Sequence, residues 1–334
     1  MEAASTLDPR GGRSPLRTLL AIVVSLALFL ALAEVTLRLY LARNTFYDVE
    51  MSRYARLLKV DAENPKIGHV HRPSREERLM DVDVRINSDG FRDDEYPLEK
   101  RDRWRIVFLG DSLTFGWGVE KDETFEALLE RALQAKRPTE IINFGAGNYN
   151  TEQEVNLFLE KGLRYRPDQV VLFYFVNDAE PTPRASRLEW LGNFRLATFY
   201  WSRVKSLWTR FDPATGFEAY YRSLYREDAP GWQRAKIALL ELRDACREHG
   251  IALQVVLLPE LHAPVGQIFE PEYARVTDFL RGNGIPSLDL SPRFAGESDP
   301  LSLWVAPDDA HPNARAHRAI SEYSYDFIAE ASPS

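Results

Sequence analysis

Cysteine is almost missing from this chain: Cys246 is the only one in 334 residues. A lone thiol excludes an intramolecular disulfide and any cysteine-based metal cluster, since both need a partner. Cys246 closes the helical pattern Leu239–Cys246 and reads as a small buried apolar residue. Positive charge is also in short supply. Forty-two lysines and arginines face fifty aspartates and glutamates, for a net charge of −8. A nucleic-acid binder needs a net basic face to displace counterions, so the balance argues against that class of partner. Core-forming residues are not lacking: 45% of the chain is apolar and 12% aromatic, close to globular norms. With the first forty-five or so residues set aside, roughly 290 remain, enough for one large α/β domain with an insertion or for two small domains.

Charge is absent from one sixteen-residue stretch, Thr18 to Ala33. Extended through Glu34 to Leu37 it reaches about 30 Å of helix, the thickness of a bilayer core. Glu34 near the end of such a span is tolerated by snorkelling, and Arg38 four residues on is placed for a helical ion pair. A cleaved signal peptide is the rival reading, with Arg13 and Arg17 as its basic start, Leu19 to Leu30 as its core and Ala31-Leu32-Ala33 as its cleavage site. Apolar residues continue past that site at Val35, Leu37, Leu39 and Leu41, which favours an uncleaved anchor over residues 18–41 behind a tail at 1–17. Basic residues lie on both sides of the span, so the positive-inside rule does not orient it. The expectation is a single-pass protein of the cytoplasmic membrane, its large domain outside the cytoplasm.

Residues 46–104 form an entry segment. Asp81–Ile86 alternates like an edge strand, and Asn87-Ser88-Asp89-Gly90 signals a turn. An alternating βα pattern then begins. Apolar strands are expected at 105–109, 141–144, 169–175, 252–258 and 285–290, and helices at about 123–135, 152–163, 232–249, 271–282 and 313–329. Continuously apolar strands between amphipathic helices imply a parallel sheet covered on both faces, a three-layer α/β domain over about 105–330. An insertion at about 181–231 interrupts it. Trp190, Phe194, Ala197, Trp201, Val204, Trp208 and Phe211 recur at helical spacing there, and Tyr220, Tyr221 and Tyr225 form a second aromatic group. The plain reading is a helical cap packed on the sheet domain; the sharper one is a platform lying on a membrane surface or stacking on a sugar.

Four blocks lie at or just beyond apolar runs: Gly110-Asp111-Ser112-Leu113, Asn143–Asn148, Val176-Asn177-Asp178 and Asp308–His311. A parallel sheet places its chemistry at such strand ends. Ser112 directly follows a strand and precedes a helix; it is either a nucleophile or an ordinary capping serine. A serine hydroxyl needs a base within hydrogen-bond reach. Of the six histidines, His249 closes a helix before Gly250, and His317 falls inside the last helix, where it is expected to be solvated. His69 and His71 share a strand face, but nothing nearby completes a metal site, so zinc is not expected. His262 is a competing base. His311 is better placed, in a loop after the fifth strand, and Asp308 three residues earlier can accept from its second ring nitrogen and hold its tautomer. Asp308 or Asp309 can instead simply cap the helix after Asn313. For a tetrahedral oxyanion the available donors are the Ser112 N–H, an N–H of the 145–148 turn near Asn148, and the Asn177 carboxamide. Asn177 could also do no more than cap its turn.

These blocks make the chain resemble the SGNH/GDSL hydrolase superfamily, over about Arg105 to Ala329. Gly110–Leu113, Asn177-Asp178 and the Asp-x-x-His of Asp308 and His311 match the family pattern. Two details depart: Asn148 stands where the family usually has its oxyanion glycine, and Val176 precedes the Asn of a usual Gly-x-Asn-Asp. The resemblance implies a flavodoxin-like α/β/α sandwich with a five-stranded parallel sheet and cleavage or transfer of an ester's acyl group without a cofactor. It implies Ser112 as nucleophile, His311 as base, Asp308 as its orienter, and an oxyanion hole from Ser112, Asn148 and Asn177. The expected substrate is an ester-bearing small molecule or glycan, an O-acetyl ester among the candidates. An O-acyltransferase acting on an envelope polysaccharide is the alternative, because the membrane segment and the Asn87–Arg92 lead-in are similar to bacterial envelope members. A catalytically silent binding module is the third reading.

Overall fold

The computed structural model describes residues 15–41, 45–182, 199–200 and 216–331. The helical stripe expected at 190–211 lies almost wholly outside the described residues.

Helix α1 (Pro15–Leu41) buries none of its side chains against the rest of the protein, and it is long and apolar enough to cross a membrane. Glu34 and Arg38 pair on it at 2.7 Å, the i, i+4 contact their spacing calls for. The entry segment follows with α2 (Tyr47–Leu58), β1 (Lys59–Asp61), β2 (His69–His71), β3 (Arg75–Leu79) and β4 (Val82–Ile86). β1 and β2 pair antiparallel, Lys59 opposite His71 and Asp61 opposite His69. β3 and β4 form a hairpin whose two connecting residues, Met80 and Asp81, both have positive φ, the turn whose twist matches that of paired strands. The alternation in β4 therefore reflects a separate hairpin rather than an edge of the main sheet.

The sandwich comprises β5 (Trp104–Leu109), the four-residue α3 (Ser112–Phe115), α4 (Phe125–Gln134), β6 (Thr139–Asn143), α5 (Thr151–Leu157), β7 (Gln169–Tyr174), α6 (Phe217–Leu224), α7 (Pro230–His249), β8 (Ala252–Leu257), α8 (Glu270–Gly282), β9 (Ser287–Asp289), α9 (Ser291–Phe294), β10 (Trp304–Ala306), β11 (Asp309–Pro312) and α10 (Ala314–Ala329). Five strands pair in parallel in the order β6-β5-β7-β8-β9. Strand residues alternate between two cores. Val107, Leu109, Val170 and Leu172 pack with α5, α7 and α8, while Ile106, Phe108, Val171 and Phe173 pack with α4 and α10. Each such side chain contributes about 1.5–3 kcal/mol by burial, which explains why these strands lack the polar alternation of a half-exposed sheet. Tyr225 belongs to the first of these cores and Tyr221 packs against it, while Tyr220 of the same aromatic group stays exposed. A third cluster, with Tyr54, Leu58, Leu79, Val84 and Ile86, seats the entry segment against Phe115 and Trp117 just after the β5 edge.

Two elements differ from expectation. The helix begun at Thr151 widens after Leu157 into a turn over Phe158–Gly162, where the Phe158 ring occupies the space a Cβ on residue 162 would take. The fifth strand is trimmed to Ser287–Asp289 because it is the sheet edge and pairs only with β8.

Candidate active site

The strand order reverses direction around β5, with β6 on one side and β7 on the other, and ligand crevices open beyond the carboxyl ends of strands at such a switch point. β5 delivers Asp111 and Ser112 there; its neighbour β7 delivers Asn177. Asp111 caps the short helix α3, its Oδ1 accepting from Leu113 N at 2.9 Å. Its Oδ2 accepts from Asn177 Nδ2 at 2.9 Å, tying the first and third sequence blocks together. Burial raises the Asp111 carboxyl above its usual range, partly offset by these bonds. Asp178 caps the same turn as Asn177 through Phe175 N at 3.0 Å. Desolvation, reinforced by the neighbouring Asp111 carboxylate, pushes Asp178 well above the ordinary carboxylate range, so it is a structural acid beneath the site.

Ser112 Oγ lies 2.8 Å from His311 Nε2 across 199 residues of sequence. His262, the competing base, bonds Glu260 through Nδ1 at 2.5 Å and packs edge-on against Trp304. The partner of His311 differs from expectation. Asp308 is solvent-exposed and, among the described residues, meets only the Tyr47 amide, at 3.4 Å. Asp309 instead accepts from His311 Nδ1 at 2.5 Å and from the His311 amide at 3.1 Å. The reason is local: residues 309–312 are the strand β11, paired with β10 in a hairpin, rather than a loop. Alternate residues of a strand share a face, so the side chain two positions before His311 lies beside it and the one three before does not. Trp117 Nε1 donates to the other Asp309 oxygen at 2.8 Å. Burial alone would raise Asp309, but the bonds from His311 and Trp117 outweigh it and hold the carboxyl below its usual range. The Tyr47 ring covers the imidazole at 5.6 Å between centroids.

His317 is fully buried rather than solvated: its Nδ1 accepts from Phe125 N at 3.0 Å, at the start of α4. The helix carrying it packs against α4 along that side, which periodicity within one helix could not reveal.

The Asn143–Asn148 turn is stitched onto helix α3, which carries Ser112. Asn143 Nδ2 donates to Thr114 O at 2.8 Å and Ala146 N to Gly110 O at 3.1 Å. Gly145 rests so close that a Cβ would lie 2.4 Å from Phe115 N. Most amides of this turn are taken: Gly145 N by Asn143 Oδ1, Ala146 N by Gly110 O, Gly147 N by the Tyr54 hydroxyl and Tyr149 N by Ala146 O. Among the described residues, Asn148 N has no acceptor. Asn148 also has φ of +65°, the left-handed region in which glycine and asparagine are the residues that sit without strain. A conformational requirement, rather than the donor itself, thus explains why asparagine can stand at a glycine position. Ser112 N is the first amide of α3, where no intrahelical acceptor exists. The site therefore holds a serine–imidazole–carboxylate chain, with two amides that meet no acceptor among the described residues and a carboxamide nearby.

Sequence reasoning missed Asp309, Trp117, Tyr47, and Tyr54 with Lys59 beside the turn. Only Asp309 left a signal, its i−2 spacing from His311 in a stretch readable as a strand. The Asn87–Arg92 lead-in has a positional role: Arg92 Nη1 donates to Phe115 O at 3.1 Å and Nη2 to Val119 O at 2.7 Å, bracing the end of helix α3.

A model of the GDSL-like lipase/acylhydrolase family matches residues 108–319. Among curated proteins none matches significantly. Similar solved structures include a lipolytic protein of the G-D-S-L family from Desulfitobacterium hafniense, at 14% identity and TM-score 0.44, over 67% of this chain and 99% of that one. The lipase/acylhydrolase from Enterococcus faecalis is 17% identical at TM-score 0.41, over 69% and 98% of the two chains. An acetyl xylan esterase is 16% identical at TM-score 0.41, over 67% and 99%.

Proposed function

Because this chain belongs to the GDSL-like lipase/acylhydrolase family, we propose that it hydrolyses an ester through an acyl-enzyme on Ser112. The observation that carries this reading is the 2.8 Å contact between Ser112 Oγ and His311 Nε2, backed by Asp309 at 2.5 Å from Nδ1. His311 takes the hydroxyl proton as Oγ bonds the acyl carbon, and the carbonyl electron pair moves onto oxygen. Asp309 stabilises the imidazolium and keeps Nε2 turned to the serine. The amides of Ser112 and Asn148 and the second N–H of the Asn177 carboxamide receive the oxyanion. Collapse expels the alcohol, which recovers the proton from His311; water then repeats the sequence to free the acid.

The test is Ser112→Ala against p-nitrophenyl acetate. Turnover should fall by about three orders of magnitude or more with the fold unchanged, and fluorophosphonate labelling should vanish with it. A Ser112→Ala protein as active as its parent would overturn the assignment.

We further propose that α1 remains as a single-pass anchor of the cytoplasmic membrane with the hydrolase domain outside the cytoplasm. Its 27 residues exceed the roughly 20 a bilayer needs, and none is buried in the protein. Protease added to intact spheroplasts should digest the domain; complete protection would refute that orientation.

A further inference from the structure

The Gly147–Asn148 peptide is held from one side and open on the other. Gly147 O accepts from Lys59 Nζ at 2.6 Å and from His69 Nε2 at 3.0 Å. Lys59 Nζ gives a second bond to Asn148 Oδ1 at 2.8 Å, closing a ring around the residue with positive φ. Gly147 N donates to the Tyr54 hydroxyl at 2.8 Å, which in turn donates to His71 Nε2 at 2.6 Å, and His71 Nδ1 donates to Gly90 O at 3.1 Å. The opposite end of the same peptide unit, Asn148 N–H, meets no acceptor among the described residues. Every group on the closed side comes from the entry segment, outside residues 108–319.

Lys59 is placed at a cost. It sits over the Tyr54 ring at 4.6 Å and meets no carboxylate among the described residues. A lysine serving stability alone is normally paired or left in water. Desolvation pushes its ammonium down to about 7, and pushes His69 down to about 3, so His69 is neutral and donates through Nε2–H. Donors on a carbonyl draw electron density through the amide, so the N–H at its far end becomes a stronger donor. They also fix the peptide plane before reaction, which is how an oxyanion site avoids reorganisation.

We propose that Lys59 and His69 are positioning residues for the oxyanion: by bonding Gly147 O they orient and polarise the peptide whose Asn148 N–H receives the developing negative oxygen. The inference rests on the esterase reading above. It assigns the entry segment a part in transition-state stabilisation, and Tyr54 and His71 hold the neighbouring amide so that the turn presents a single N–H.

The experiment compares Lys59→Met, Lys59→Gln and the parent, all as full-length protein, for kcat and KM on p-nitrophenyl acetate and for inhibition by a trifluoromethyl ketone, which forms a tetrahedral adduct with the serine. Lys59→Met should lower kcat about ten- to a hundredfold, less than loss of a direct donor, with KM within about twofold. The ketone should weaken by the same factor. Lys59→Gln, which keeps an N–H for the carbonyl, should recover most of the loss. His69→Leu probes the same peptide should the Lys59→Met chain not fold, and should show the same split. Unchanged kcat and ketone affinity, a change confined to KM, or a loss that tracks a lowered melting temperature and is not recovered in Lys59→Gln, would each overturn the proposal. An active Ser112→Ala protein would sink the esterase reading beneath it; an inactive Ser112→Ala protein beside a fully active Lys59→Met protein would sink only this inference.

Discussion

At the residue scale the decisive fact is which of two adjacent aspartates meets the imidazole. Asp309 is buried, and His311 and Trp117 occupy its two oxygens; Asp308 is exposed and, among the described residues, touches only a backbone amide. Asp309→Asn should therefore lower kcat by about three to four orders of magnitude, because an amide cannot hold the tautomer or stabilise the imidazolium. Asp308→Asn should change kcat by less than about tenfold, since a solvent-exposed carboxylate interacts weakly. The pair is read from pH–rate profiles on p-nitrophenyl acetate, and equal losses in both variants would remove Asp309 from its role. Ser112, His311 and Asn177 could be named from residue type and their position after strands. The aspartate could not, because the choice turns on whether residues 309–312 are extended or looped, and that is settled by pairing with 304–306.

At the element scale, one histidine couples two helices. His317 on α10 accepts the first amide of α4, and its ring stacks on Phe125 at 5.2 Å. Burial, reinforced by the nearby positive charge of Arg92, pushes this imidazole down to about 3 from an ordinary 6.5. A depressed histidine means that the unfolded chain binds one more proton between those two values. Its contribution to stability is thus complete above pH 6.5 and is lost as pH falls toward 3. In urea unfolding, His317→Gln should lose about 2 kcal/mol less than the parent between pH 7.5 and pH 5, because an amide oxygen can take the same N–H without titrating. Parallel pH dependence in the two proteins would refute this account. The helices and central strands were legible because burial on one or two faces writes a period into the sequence. The docking of α10 on α4 was not, since no period within either helix specifies its neighbour.

At the scale of the whole molecule, an apolar helix and the candidate site are joined by a short stretch of sequence. Five residues lie between Leu41, the last of α1, and Tyr47, whose ring lies over His311, so the intervening chain spans at most about 20 Å. Removing residues 1–44 should release the protein from the membrane fraction. Turnover of p-nitrophenyl acetate should stay within about threefold, because α2 and the rest of the entry segment keep their packing on the domain. Retention in the membrane fraction would show a second attachment surface; loss of turnover would show that α1 itself supports the site.

Chain order, strand periodicity and residue type were enough to determine a parallel α/β sandwich, an N-terminal apolar helix, and a serine and histidine at its strand ends, since each of these is encoded within a few residues of itself. Tertiary structure alone decided that Asp309 backs His311, that Asn148 keeps the open amide of its turn, and that Lys59, 88 residues before Gly147, holds the other end of that peptide. Those outcomes depend on which surfaces meet when the entry segment packs beyond the carboxyl end of β5, and contacts between distant segments leave no period in a single sequence.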